Sequence, residues 1–263
     1  MRAAKKVPRT ASGWKPIPDP EGRYSTGIPD FDRLLGGGFP RGSEVLYILD
    51  ETVRREDLDL LLFPTLLNIL YHSRGIMAIL PARDSPHDFR ARLTQHVTRR
   101  RFDSRVRIMD YIGEDEGPPY VVNVAGTSLV DGDDHKPNPK VKKAAIAKVV
   151  KAERAAQGGR GKPFLELTAF EVFETLMGVE KSLKMYYYGI KRIRSIGNLG
   201  IGILGPGLGC AAGVRRMVDS EFSLHRDEVG LLIKGINPSF PTCVVTPDPT
   251  VGAPYVAFVP RPN

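Results

Sequence analysis

The sequence predicts an α/β protein with a mainly parallel central sheet, helices on both faces and antiparallel strands near its C-terminus. Apolar, strand-type segments alternate with helix-type segments through the first two thirds of the 263 residues, which is typical of a parallel sheet covered by helices. The last third contains short strand-type segments separated by turn residues, which is typical of antiparallel strands. The length suits one large domain with an extensive core.

Each element follows from a local pattern. Strands are predicted at residues 43–49, 75–80, 105–111 and 199–204, and C-terminal strands at 221–224, 229–234, 242–246 and 254–259. Helices are predicted at residues 30–35, 57–73, 85 to about 100, 138–157 and 169–194. Ser85 suits the N-cap and Pro86 the first helical position of the third helix. Pro64 is expected to kink the second helix, and Gly178 and Gly189 are the expected interruptions of the last one.

Residues 24–49 are the most informative segment and read YSTGIPDFDRLLGGGFPRGSEVLYIL. This segment resembles the start of the ATPase core of RecA/RadA/KaiC-like proteins. The order of elements continues the resemblance from roughly Tyr24 to Val259, which implies a RecA-like fold. In that superfamily a phosphate-binding loop of the pattern G-x-x-x-x-G-K-[ST] follows the first core strand.

The chain departs from that pattern immediately after the strand. Residues 50–57 read DETVRRED, with no glycine, no lysine and four carboxylates that would repel a triphosphate at close range. The degenerate phosphate-loop position comprises Asp50, Glu51, Thr52, Arg54 and Arg55. We expect a strand-to-helix turn that binds no nucleotide and no other cofactor, with Thr52 as a candidate helix cap. The alternative is a rebuilt nucleotide site that uses Arg54 and Arg55.

The second ATPase motif is altered as well. Residues 163–171 read PFLELTAFE, and alignment with the KaiC-like pattern of an apolar run followed by Asp places Leu165 at the Asp position. Glu166 lies one residue further on and is the possible residual acid. Strand alternation puts Glu166 on the opposite face from Leu165. The sequence therefore leaves enzymatic activity open but favours its absence.

Positive charge is concentrated in four segments of a chain whose net charge is +8. Residues 1–23, 90–107, 136–162 and 181–194 carry +4, +6, +8 and +5, so the rest is about −15. Such segregation is typical of surfaces that face polyanions, although solvated helix faces pointing in different directions are the alternative. The candidate nucleic-acid contacts are Arg99, Arg100, Arg101, Lys142, Lys143, Lys184, Lys191, Arg192, Arg194, Arg215 and Arg216.

Three consecutive tyrosines, Tyr186 to Tyr188, lie within the last basic segment. Aromatic side chains between basic ones suit base stacking combined with phosphate contact. The alternative is that two of the three pack inward with their hydroxyls at the rim.

A Thr-Gly-Ile-Pro opening without a phosphate loop is similar to that of the accessory subunits of Elongator. Those subunits are RecA-like, form a hexameric ring, lack the usual ATPase motifs and bind tRNA. The resemblance implies a pseudo-ATPase that oligomerises and binds nucleic acid, with RNA (tRNA or ribosomal) favoured over DNA. Two alternatives stay open: a divergent ATPase of the recombinase-paralogue or KaiC type, and a scaffold that docks on a ribonucleoprotein such as the ribosome.

The chain is expected to consist of a basic, flexible arm at residues 1–22 and a RecA-like domain at residues 23–263. The sequence has no apolar run of membrane-spanning length and no secretory h-region. Cys210 and Cys243 form no metal or disulfide pattern, so we expect no metal and a cytoplasmic setting.

Overall fold

The computed structural model describes residues 15–111, 117–124, 139–157, 162–248 and 255–261. The described residues form seven helices: α1 (Pro29–Leu34), α2 (Arg55–Tyr71), α3 (Pro86–Leu93), α4 (Arg99–Arg105), α5 (Pro139–Ala156), α6 (Phe170–Ile196) and α7 (Ala211–Arg215). They also form twelve strands: β1 (Arg23–Tyr24), β2 (Phe39–Pro40), β3 (Glu44–Leu49), β4 (Ile76–Ile79), β5 (Val106–Asp110), β6 (Val121–Asn123), β7 (Leu165–Ala169), β8 (Leu199–Leu204), β9 (Ser220–Arg226), β10 (Leu231–Asn237), β11 (Phe240–Pro247) and β12 (Val256–Pro260).

Ten of these strands form one central sheet in the order β12-β11-β10-β9-β3-β8-β7-β4-β5-β6. The seven strands from β9 to β6 pair in parallel, whereas β10, β11 and β12 add antiparallel pairs at one end. The predicted fold class is therefore confirmed. One prediction is wrong in part: the strand expected at residues 221–224 among the antiparallel strands is β9, which pairs in parallel with β3 and antiparallel with β10.

Helices cover both faces of the sheet, as the alternation predicted. The larger core packs α1 to α4 against one face, with Phe31, Leu66 and Phe102 fully buried. Two smaller cores pack α5, α6 and α7 against the other face. The side chains of β3 alternate between the two faces of the sheet: Val45 and Tyr47 belong to the larger core, and Leu46 belongs to one of the two smaller cores.

The predicted helix from residue 85 to about 100 is two helices. Ser85 caps α3 as predicted, because its Oγ accepts a hydrogen bond from the backbone N–H of Asp88 at 3.0 Å. The helix ends at Leu93, and Thr98 starts α4 by accepting from the N–H of Arg101 at 3.3 Å. Gly178 interrupts α6 with a φ of 74°, as predicted, whereas Gly189 continues the helix and the second predicted interruption is wrong.

The motif that carries the family resemblance is a structural clamp. The Asp32 carboxylate accepts hydrogen bonds from the Ser25 hydroxyl and from both the N–H and the hydroxyl of Thr26, the last two at 2.7 Å. Gly38 closes the following turn with a φ of 94°, where a Cβ would lie 2.3 Å from the Tyr24 carbonyl oxygen. The motif therefore fixes the approach to β3 and does not itself require a nucleotide.

Residues 15–22, the described end of the predicted arm, lie against α2. Asn68 exchanges two hydrogen bonds with the backbone of Ile17, at 2.8 and 3.1 Å. Asp19 forms an ion pair with Arg74, which also stacks over the Tyr24 ring. Residues 1–14 lie outside the described part of the chain.

Candidate functional site

The phosphate-loop position is a tight turn at residues 50–54 that connects β3 to α2. Four of its five backbone amides donate to acceptors of the protein itself. The N–H of Asp50 donates to the Leu224 carbonyl at 3.2 Å and that of Val53 to the Asp50 carbonyl at 3.4 Å. The N–H of Thr52 donates to the Asp50 carboxylate at 2.8 Å and that of Arg54 to the Asp57 carboxylate at 3.0 Å. These amides are occupied by carboxylates and carbonyls where a phosphate loop would direct them at an anion.

The side chains of the turn are also engaged. The Thr52 hydroxyl accepts a hydrogen bond from the backbone N–H of Arg226 at 2.7 Å and donates one to Asp50. The prediction that Thr52 caps α2 is therefore wrong. The N-cap residue is Arg54. Arg226 forms an ion pair with Asp57, which lies in the first turn of α2. This ties the turn to the end of β9.

A cavity of about 320 Å³ opens beside the turn, and its charge is unfavourable for a triphosphate. Three carboxylates line it, those of Asp50, Glu51 and Glu171, against one guanidinium, that of Arg83. Arg55, which the alternative of a rebuilt nucleotide site requires, does not line this cavity, and its guanidinium lies 3.8 Å from the Asp84 carboxylate. An anion in this cavity would meet net repulsion.

The predicted residual acid Glu166 lies at the wrong end of the sheet for this turn. Glu166 is level with Gly200, which in turn is level with Glu44 at the start of β3. The six residue steps from Glu44 to Asp50 correspond to about 20 Å of extended chain. Glu166 instead accepts hydrogen bonds from Arg192 at 2.6 Å and Asn198 at 3.0 Å.

The acid beside the turn is Glu171, which the sequence reasoning did not single out as a site residue. Glu171 lies two residues after the end of β7, in the first turn of α6, and accepts from the backbone N–H of Ala82 at 2.7 Å. Its position after the strand was the available signal, because the carboxyl ends of parallel strands meet at one edge of the sheet. The hydrogen bond to Ala82 indicates that it holds the loop after β4.

The two faces of the sheet differ in charge. The helices α5, α6 and α7 contain twelve Lys and Arg against four Asp and Glu, whereas α1 to α4 contain eight against seven. Exposed side chains on α5 and α6 include Lys143, Lys151, Lys184 and Lys191. We call this surface the α5/α6 face. The segregation seen along the sequence thus becomes a difference between the two faces of the sheet.

The predicted nucleic-acid contacts divide into partnered and unpartnered groups. Arg192 pairs with Glu153 and Glu166, Arg194 with Asp219 at 3.0 Å, and Arg215 with Glu221 at 2.6 Å. Lys184 lies 3.5 Å from Glu180 in an exposed pair, which contributes little. Within the described residues no ion pair involves the remaining candidates, which are Arg99, Arg100, Arg101, Lys143, Lys191 and Arg216. Of Lys142 only its place in α5 is described.

The basic segment at residues 90–107 is mostly structural. Arg90 pairs bidentately with Asp103 at 2.8 and 2.9 Å, and this pairing lowers the pKa of Asp103. Arg92 pairs with Asp59 and Asp84. Arg105 and Arg107 donate to backbone carbonyls. Within this segment, Arg99, Arg100 and Arg101 at the start of α4 are the arginines whose side chains have no ion pair or hydrogen bond among the described residues. The Arg101 guanidinium lies 4.3 Å from the centre of the Tyr71 ring.

One of the three tyrosines packs inward, and two face solvent. Tyr186 is buried and donates to the Glu44 carboxylate at 2.8 Å. Tyr187 and Tyr188 are 46% and 68% exposed, which is unusual for side chains of this size. The ammonium of Lys191 lies 4.4 Å from the centre of the Tyr187 ring. Two exposed aromatic rings therefore lie among the lysines of the α5/α6 face.

Other kinds of site find no support in the described residues. These residues contain no group of three or more His, Cys, Asp or Glu side chains arranged to hold a metal ion. Residues 131, 133 and 134, which superficially resemble part of a calcium loop, lie outside the described ranges. In the part of the chain that the structure covers, no helix combines the length and apolar character needed to span a bilayer.

Comparison with known proteins gives a family and a fold. Residues 13–178 match the family described as GvpD basic region 2. Protein GvpD2 of Halobacterium salinarum is 28% identical over 183 residues, which is 68% of this chain and 36% of that protein. Protein GvpD1 of the same organism is 37% identical over 73 residues, 28% of this chain and 14% of that protein. The chain thus spans about a third or less of these curated relatives.

The structure of a KaiC-like protein from Pyrococcus horikoshii OT3 superimposes with a TM-score of 0.57 at 15% identity. The match covers 92% of this chain and 100% of that protein. At this identity the likeness concerns the fold alone. The chain has a RecA/KaiC-like fold.

Proposed function

For a chain that belongs to the GvpD basic region 2 family and has a RecA/KaiC-like fold, we propose a non-hydrolysing, nucleic-acid-binding role. The protein binds single-stranded nucleic acid, RNA in preference to DNA, through the α5/α6 face. It acts as an oligomer, like the ring-forming accessory subunits of Elongator that its opening motif resembles. The observation that carries the proposal is the coincidence of one-sided positive charge and two exposed tyrosines on one helical layer.

The electrostatic part of the proposal follows from unpaired lysines. Phosphate contacts by Lys and Arg supply most of the affinity of non-specific nucleic-acid binding and release counterions. Lys143, Lys151 and Lys191 are exposed, and no ion pair among the described residues occupies them. The matched family is described as a basic region, and residues 13–178 include the basic segment 136–162.

The preference for unpaired bases follows from the tyrosines. Base stacking on aromatic side chains contributes about 1–3 kcal/mol per base and requires bases that are not stacked in a duplex. Tyr187 and Tyr188 meet at 65° with ring centres 5.8 Å apart, so each can offer a separate ring face. RNA exposes such bases in loops and single strands.

We expect fluorescence anisotropy to show binding of a single-stranded RNA of about 20 nucleotides that weakens linearly with log salt, with a slope near −0.7 per phosphate contacted. Single-stranded DNA of the same sequence should bind more weakly and duplex RNA weaker still. Binding that ignores salt, or no binding to either strand, would contradict the proposal. Nuclease-resistant retention of partners from a native lysate would favour the protein-scaffold alternative.

The absence of nucleotide binding is tested separately. We expect about 5 mM Mg-ATP to change the melting temperature by less than about 1 °C, because a ligand stabilises a protein only by mass action at a real site. A site with a Kd of about 50 µM would add about 2.7 kcal/mol, which is roughly 5–10 °C for a chain of this size. The measurement is made at about 0.3 M salt so that ATP does not bind the basic face as a simple polyanion. A shift of several degrees would restore the divergent-ATPase alternative.

A further inference from the structure

A cavity of about 540 Å³ lies between α5, α6 and the sheet. Three parallel strands contribute to its lining, with Met77 from β4, Met109 from β5 and Thr168 from β7. Phe173 and Met185 of α6 add apolar walls. A volume of this order with mainly apolar walls and a few polar groups is typical of small-molecule sites.

The mouth of the cavity lies within the α5/α6 face. Two of the lining residues are exposed, Ile146 of α5 at 47% and Tyr188 of α6 at 68%, so they lie where the cavity meets solvent. Lys184 and Lys191 lie four residues before and three residues after Tyr188, which places them on the same side of α6. Lys143 lies three residues before Ile146 on α5. Exposed lysines therefore flank the mouth on both helices.

The charged groups inside the cavity are already paired with one another. Among the described residues that line it, Arg192 is the one basic side chain, and it forms ion pairs with Glu153 and Glu166. Either carboxylate is enough to neutralise the guanidinium. A phosphate inside the cavity would thus find no unpaired cation, whereas the lysines outside offer several.

Two hydroxyl groups in the lining remain available to a ligand. Within the described residues, no hydrogen bond involves the hydroxyl of Tyr111 or that of Thr168. Burial raises the pKa of Tyr111 to about 12, so this hydroxyl keeps its proton at neutral pH. Each hydroxyl can both donate and accept a hydrogen bond. A purely apolar occupant would remove both from water without replacing their hydrogen bonds.

In an inference that rests on the proposed binding of single-stranded RNA, we propose that one nucleobase of the bound strand inserts into this cavity while its phosphates stay with the lysines at the mouth. The base is uncharged, its flat faces pack against the methionines and Phe173, and its polar edge meets the two hydroxyls. Thioether side chains adapt to rings of different size and make favourable contacts with them. A base in a single strand enters at low cost, because it has no pairing partner to give up.

Photo-crosslinking tests where the base lies. The probe is single-stranded RNA that carries iodouridine in place of uridine, which crosslinks to aromatic side chains on irradiation. We expect mass spectrometry to place a crosslink on Phe173, which lines the cavity and is only 4% exposed. RNA that lies on the helices alone can reach Tyr187 and Tyr188 but not Phe173.

A variant that fills the cavity tests the energetic contribution of the inserted base. Gly189 lines the cavity, and a Cβ there meets no atom within 4 Å, so Gly189→Leu places its side chain in open space. We expect this variant to bind the RNA about tenfold more weakly, the loss of one stacked base, and to lose the Phe173 crosslink. The slope of log affinity against log salt should stay unchanged, because no phosphate contact is removed.

Ala147→Leu is the matched control, since it adds the same side chain at an exposed position of α5 that does not line the cavity. It should bind RNA as the original chain does. Two results would overturn the insertion and leave RNA binding itself intact. One is bound RNA that crosslinks to Tyr187 or Tyr188 and not to Phe173. The other is unchanged RNA affinity of Gly189→Leu while circular dichroism shows it to be folded. Failure of the unmodified chain to bind RNA would instead refute the proposed function, and the insertion with it.

Discussion

Replacing Arg92 with alanine should lower the free energy of unfolding by about 3–5 kcal/mol, the cost typical of removing one partner from a buried ion pair. The Arg92 guanidinium donates to Asp59 at 2.8 Å and to both oxygens of Asp84 at 2.9 and 2.6 Å. The Asp84 side chain is 6% exposed, and the other two are 17% exposed. The substitution leaves two carboxylates in a low-dielectric region, where Arg55 lies 3.8 Å from Asp84 and cannot replace the three hydrogen bonds that Arg92 donates.

Urea denaturation at pH 7 measures this loss, and Arg99→Ala, an exposed arginine of the same basic segment, serves as the control. The control should change stability by no more than about 0.5 kcal/mol. Burial already raises the pKa of Asp59 to about 6, with Arg92 opposing the rise, and removal of Arg92 raises it further. A folded-state pKa above the unfolded value costs stability as the pH rises through it, so the deficit should be smaller at pH 5 than at pH 7. A loss below about 1 kcal/mol would show that the network is not structural.

Replacing Lys143, Lys151, Lys184 and Lys191 together with glutamine should weaken binding to single-stranded RNA by about a hundredfold or more at low salt. Each lysine that contacts a phosphate contributes about 0.7 to the slope of log affinity against log salt. The slope should therefore fall by about 3. The four side chains are exposed on α5 and α6, so the free energy of unfolding should change little.

A matched variant removes the same charge from other surfaces: Arg33, Arg54, Arg83 and Lys234 to glutamine. All four side chains are exposed and lie outside α5 and α6. Fluorescence anisotropy over a range of salt concentrations compares the two variants. Equal losses would indicate that only net charge matters, and a larger loss in the matched variant would place the nucleic acid on another surface.

The fold could be predicted from the sequence because its signals are local. Apolar strand runs, the Ser85 cap and the Gly178 interruption each determine their own element, and the structure contains all of them. The parallel pairing of β9 with β3 could not be predicted, since it depends on which strand lies next to β3 in space. Thr98 is a residue type that caps helices, but it lies within a segment whose pattern predicts one continuous helix, so the start of α4 was missed.

The candidate site was less predictable, because charge in a sequence does not reveal partners. The sequence presents Arg92 and Arg192 as basic residues without partners, yet each pairs with two carboxylates from other elements of the fold. The absence of a phosphate loop is evident from residues 50–57. The hydrogen bonds from the backbone amides of this turn to the carboxylates of Asp50 and Asp57 could not be predicted, because they depend on the three-dimensional path of the turn.

Lysine acetylation with and without bound single-stranded RNA, read by mass spectrometry, tests the central claim most directly. If RNA binds the α5/α6 face, it should protect four lysines from the reagent: Lys143, Lys151, Lys184 and Lys191. Lys234, exposed on β10, should react equally in both states. Protection of Lys234 without protection of the four lysines, or uniform reactivity under conditions where RNA is bound, would contradict this account of the molecule.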